Sequence, residues 1–186
     1  ELVTSSDPVE FETPKCVVGF TDYGIDATSS GYLFGTCATD TLTGKDTDDF
    51  LYGLPGADVL YGYGGDDFID GDLGTDYAYG GPGVDTIYGG AGADAIYGEE
   101  GGDTLYGEKQ GDMLFGGAGE DDNYGGDGAD SIFGEGGADT LYGESADDEL
   151  SGGINADAFY GGDGCDAYTD AGEDEFQEDP DMGCMP

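Results

Sequence analysis

The chain has 186 residues, 40 of them glycine, and a formal charge of −41, with 44 acidic residues set against only Lys15, Lys45 and Lys109. Without arginine or histidine it cannot neutralise phosphates and has no imidazole base, so nucleic acid and anionic membrane surfaces are very poor partners and cations are the natural ones. No stretch approaches the roughly 20 apolar residues of a transmembrane helix, and so much like charge predicts disorder unless something discharges the acids.

Residues 1–39 carry no clean repeat and are expected to form an N-terminal cap containing Cys16 and Cys37. The polar opening run ELVTSSDPVE reads as a mature N-terminus from which a leader has been removed.

From Asp40 to Asp166 an aspartate returns every nine residues without a slip, fifteen in one register. Each unit reads D-x-U-x-G-x-x-G-x, where U is apolar from Leu42 and Leu51 onward and is plainly polar only at Asn123. Alternation puts U inside and its two neighbours outside, so x-U-x predicts a three-residue strand. The glycine-rich segment that follows predicts a turn, since glycine tolerates positive φ. A period this short specifies a repeating backbone shape.

These units resemble the GGxGxDxUx nonapeptides of the RTX calcium-binding family, from about residue 40 to 170. The resemblance implies an all-β fold: a right-handed parallel β-roll solenoid with 18 residues per turn and calcium ions in the turns. Fifteen units then make about seven turns. The domains follow as an N-terminal cap over 1–39, the roll over 40–166 and a C-terminal cap over 167–186.

Folded at 18 residues per turn, Asp58, Asp76, Asp94, Asp112, Asp130, Asp148 and Asp166 form one column, which Asp40 begins. Asp67, Asp85, Asp103, Asp121, Asp139 and Asp157 form the other, which Asp49 begins. Carboxylates stacked about 5 Å apart repel and do not ionise together without a cation between them. Calcium accepts six to eight oxygens, and glycine turns offer carbonyls beside the carboxylates. The thirteen aspartates from Asp58 to Asp166 are therefore the expected calcium ligands. Thr47, Gln110, Ala146 and Asn155 replace the second turn glycine, and asparagine best tolerates the change, so incomplete occupancy is expected near Asp49, Asp112 and Asp148.

The outward position after U carries two aromatic columns. Tyr88, Tyr106, Tyr124, Tyr142 and Tyr160 form one, with Tyr52 beyond Asp70; Tyr61, Tyr79, Tyr97, Phe115 and Phe133 form the other. Small outward neighbours such as Thr86 and Ala95 are expected to leave the rings standing proud. Rung spacing suits ring stacking, which stabilises a thin sheet. Stripes of this length also suit a contact surface, and opposite faces suit packing between copies of one subunit.

Cys165 and Cys184 bracket the last rung and the tail. At the solenoid length the resemblance implies, the two cysteine pairs lie too far apart to mix, which leaves Cys16–Cys37 and Cys165–Cys184. A zinc site is the alternative, but four thiolates so placed do not converge. Paired cysteines imply an oxidising compartment.

The combined reading is a secreted, non-enzymatic, calcium-binding β-roll at the cell surface or beyond it, which folds on calcium and self-associates into a filament, matrix or surface layer. The second reading is an adhesion module whose tyrosine rows bind polysaccharide or, less well, ice.

Overall fold

The computed structural model describes residues 31–169 and the strand Glu175–Phe176. Strands and turns alternate through this region, with no helix among the described residues. The strands fall into two all-parallel sheets, nine strands in one and eight in the other. Successive strands alternate between the sheets, so each strand pairs with the one two places on, as Leu51 pairs with Ile69 and Leu60 with Ala78. The result is a two-sheet parallel solenoid of about eight turns at 18 residues per turn.

One buried side chain per nonapeptide builds the core. Leu42, Leu51, Leu60, Ile69, Ile87, Ile96, Leu105, Leu114, Ile132, Leu141, Leu150 and Phe159 are essentially inaccessible, and they interleave between the sheets. Asn123 occupies the same position and is equally buried, yet neither oxygen nor nitrogen of its amide has a hydrogen-bond partner.

The regular ladder extends beyond the expected repeat. Tyr32–Phe34 pairs in parallel with Phe50–Tyr52 and buries Leu33, while Glu175–Phe176 pairs with Ala158 and Phe159. The three-residue strand expected from the pattern is found at each unit from Tyr32–Phe34 to Phe68–Asp70. From Tyr77–Pro82 to Ala158–Asp163 it lengthens to six residues. The turn itself runs parallel to its copy one rung away, so pairing continues round it, as in Gly81 with Glu99 and Pro82 with Glu100.

From Gly53 onward the residue after the first turn glycine, and not that glycine, takes up the left-handed conformation. Leu54, Tyr63, Asp72, Glu99, Glu108, Glu135 and Glu144 all lie there with φ between 66° and 80°. Gly81, Gly90, Gly117, Gly126, Gly153 and Gly162 fill the same position in the other units. A non-glycine residue in this region is strained, so seven such residues record a backbone path that the rest of the rung imposes.

Candidate metal sites

Each repeat aspartate follows a turn and precedes a strand, and the fold takes it out of water. Asp40 through Asp157 are all at most 5 % exposed. One carboxylate oxygen has a fixed task. From Asp40 to Asp148, every backbone N–H in the series donates to Oδ1 of the aspartate one turn later, at 2.7–2.9 Å. Two continuous carboxylate-to-amide ladders run along the roll.

The second oxygen has no such partner. Oδ2 is buried and without a hydrogen bond at Asp58, Asp67, Asp76, Asp85, Asp94, Asp103, Asp112, Asp121, Asp130, Asp139 and Asp148. These eleven positions all belong to the expected ligand set. At the two aspartates before them the oxygen is satisfied: Asp40 accepts from the Thr36 amide and hydroxyl, and Asp49 from the Lys45 amide. Neither capping contact was legible in the repeat pattern, because both donors lie in irregular turns.

The first turn glycine explains itself at this point. A Cβ on Gly107 would come within 2.5 Å of both Asp112 Oδ2 and the Gly125 carbonyl oxygen. On Gly53 it would lie 2.9 Å from Asp58 Oδ2 and from the Gly71 carbonyl oxygen. Glycine there keeps open a small space bordered by a carboxylate oxygen and a carbonyl oxygen of the next rung. The second turn glycine faces a different neighbour: a Cβ on Gly83, Gly92 or Gly137 would overlap the carbonyl oxygen of the matching glycine one rung earlier. Gln110, Ala146 and Asn155 instead adopt φ of 67°, 91° and 83°, so the path changes before Asp112, Asp148 and Asp157.

Burial of the negative charge dominates the electrostatics. It raises the carboxyl pKa to about 6 at Asp58, Asp67 and Asp103 and to about 7 at Asp76, Asp85, Asp139 and Asp148. Asp112 reaches about 8, with Asp94 and Asp130 adding repulsion to its burial, while the Asp94 amide hydrogen bond opposes the rise. Asp94, Asp121 and Asp130 are raised as well. Without counter-charge, this ladder holds protons near neutrality.

Buried, anionic, unpartnered oxygens beside carbonyl oxygens make a hard, all-oxygen donor set, which suits calcium. Among the described residues no three acidic or thiol side chains cluster closely enough to hold a metal by themselves. Backbone carbonyls would therefore complete each sphere, which agrees with one aspartate per turn. Matches to the RTX calcium-binding nonapeptide repeat model, four copies at a time, overlap to cover residues 43–166 continuously. The chain belongs to the RTX calcium-binding repeat family. RTX repeats bind multiple calcium ions, are typically structural and are typical of secreted proteins. No curated protein matches the chain.

The aromatic residues form stacked ladders on both sheets. Tyr61, Tyr79, Tyr97, Phe115 and Phe133 stack at centroid distances of 4.8–5.0 Å. Tyr88, Tyr106, Tyr124, Tyr142 and Tyr160 stack at 4.6–4.9 Å with ring planes within 12°. Instead of standing proud, the rings are half-buried against one another. Asp70 does not break the second ladder: Phe68, on the other side of Ile69, bridges Tyr52 and Tyr88 at 5.8 and 5.5 Å.

Cys16 and Cys184 lie outside the described residues, so the expected disulfide pairs have no geometry here. No helix among the described residues is long and apolar enough to cross a membrane.

Proposed function

We propose that this RTX chain is a secreted, non-enzymatic structural β-roll whose folding is driven by calcium at Asp58 to Asp166. The observation that carries this reading is the set of eleven buried Oδ2 atoms, from Asp58 to Asp148, with no hydrogen-bond partner. Leaving charged oxygens in that state is costly, and an ion between rungs relieves desolvation and repulsion together. Calcium binding and folding then become one equilibrium, with disorder in chelator and a rigid roll at millimolar calcium. Disulfides Cys16–Cys37 and Cys165–Cys184 close the two ends, and peptide mapping without reduction tests them. The experiment for function is electron microscopy with and without calcium: ordered filaments, sheets or layers are expected only with it. Persistent monomers at high concentration refute assembly and leave calcium-coupled folding intact.

The polysaccharide reading loses its main support. Sugar rings stack on free aromatic faces, but each interior ladder ring has both faces covered by neighbours at 4.6–5.0 Å. Ring edges and phenol hydroxyls remain for contact, and these suit sheet-to-sheet packing better. The expected interface residues, Tyr61 to Tyr160 along the two ladders, stay within this proposal.

A further inference from the structure

We infer that the eight-stranded sheet, rather than the nine-stranded one, is the face through which two copies of this chain meet; this rests on the self-association proposed above. The two faces differ in charge. On the six strands from Thr41–Thr43 to Ser131–Gly136 in the eight-stranded sheet, every outward residue flanking the buried U position is uncharged. At these flanking positions the first acid is Glu149, while Glu99, Glu100 and Glu135 are exposed in the turn halves of the same strands. The nine-stranded face carries Asp70 in its tyrosine column and Asp122 in the column of Thr86, Thr104 and Thr140.

Both faces carry aromatic rings, so charge rather than apolar character separates them. The eight-stranded ladder ends in Phe115 and Phe133, and the nine-stranded face carries Phe34, Phe50 and Phe68 before the tyrosines from Tyr88 to Tyr160. Beside the eight-stranded ladder, Tyr77 and Met113 are each 47 % exposed. In a chain of formal charge −41, almost any other contact between two copies would set carboxylates against carboxylates. A second copy brings an equally uncharged strip of flanking residues, which makes it the complementary occupant and gives a two-fold, self-complementary contact.

The area sets the strength. Six strands about 4.8 Å apart, with side-chain overhang, present about 29 Å by 14 Å, on the order of 400 Å² per copy. That totals about 800 Å², below the roughly 1,200–2,000 Å² of stable interfaces. The contact is therefore weak and reversible, and it holds larger assemblies together through repetition.

The test compares two double variants of the full chain by sedimentation in calcium, with circular dichroism confirming that each folds. Y77E/M113E should weaken self-association tenfold or more relative to the unchanged chain. T86E/T104E adds the same charge to the opposite face and should stay within about threefold. Equal association of Y77E/M113E and the unchanged chain overturns the assignment of the face while leaving self-association standing. Equal loss in both variants also overturns it, since added charge alone would then explain the effect. An unchanged chain that stays monomeric at every concentration removes the underlying assembly proposal as well.

Discussion

The amide of Asp67 donates to Oδ1 of Asp85 at 2.7 Å across one full turn, while Oδ2 of Asp85 is buried with no hydrogen-bond partner. One carboxylate thus does two jobs, tying adjacent rungs with one oxygen and offering the other to a cation. D85N separates them, because asparagine keeps the Oδ1 acceptor and loses the anionic Oδ2. With calcium, the variant should lose about 1–3 kcal/mol of stability in chemical denaturation. In chelator at neutral pH it should gain strand content, since one unfavourable buried charge is gone. D112N should lose less in calcium, because Gln110 has altered the turn before it. Equal losses at the two positions would contradict that ranking.

The raised carboxyl pKa values make a pH prediction for the calcium-free chain. In the roll these groups titrate from about 6 at Asp58 to about 8 at Asp112, against about 4 when unfolded. The folded state therefore holds more protons between those values, and stability falls as pH rises through that window. Strand signal in chelator should be strongest below about pH 4 and fade between about pH 6 and 8. With saturating calcium the fade should vanish near neutrality. A calcium-free roll that gains structure as pH rises would reverse the sign.

The left-handed glutamates offer a stabilisation. Glu108 and Glu144 hold φ of 74°, where Gly90, Gly126 and Gly162 sit in equivalent turns. E108G should raise stability in calcium by about 1 kcal/mol by relieving strain, with reduced rim charge acting in the same direction. The reverse experiment belongs to the preceding position. G107A places a methyl against Asp112 Oδ2 and the Gly125 carbonyl, and should destabilise by about 2 kcal/mol or more. Denaturant midpoints measured in calcium distinguish the two glycine roles.

Asn123 is a defect in an otherwise apolar column, packed in register with Leu105 and Leu141. N123L removes a buried amide without partners and restores the residue type of its neighbours. Stability in calcium should rise by about 1–3 kcal/mol, read from the denaturant midpoint at unchanged slope. A loss would mean that the amide binds a group between the sheets.

The unbroken register of aspartates and the alternation about residues such as Leu60 and Ile96 made the parallel two-sheet roll legible in the sequence. The cation chemistry was legible too, since stacked carboxylates demand counter-charge. Contacts set by three-dimensional neighbours were not. Phe68 reads as an ordinary outward residue until folding places it between Tyr52 and Tyr88. Glu99 reads as a charge in a loop, but the backbone there is left-handed because its rung must follow those on either side. The protected oxygens of Asp40 and Asp49 depend on Thr36 and Lys45, which lie outside the regular turn pattern.

The central claim is that cations hold together a ladder that its own charge would disperse. Far-ultraviolet circular dichroism of the full chain at neutral pH, titrated with calcium from chelator, measures this most directly. Strand signal should appear cooperatively as calcium is added and collapse when chelator is restored. An equally strong strand signal in chelator at neutral pH would contradict the account.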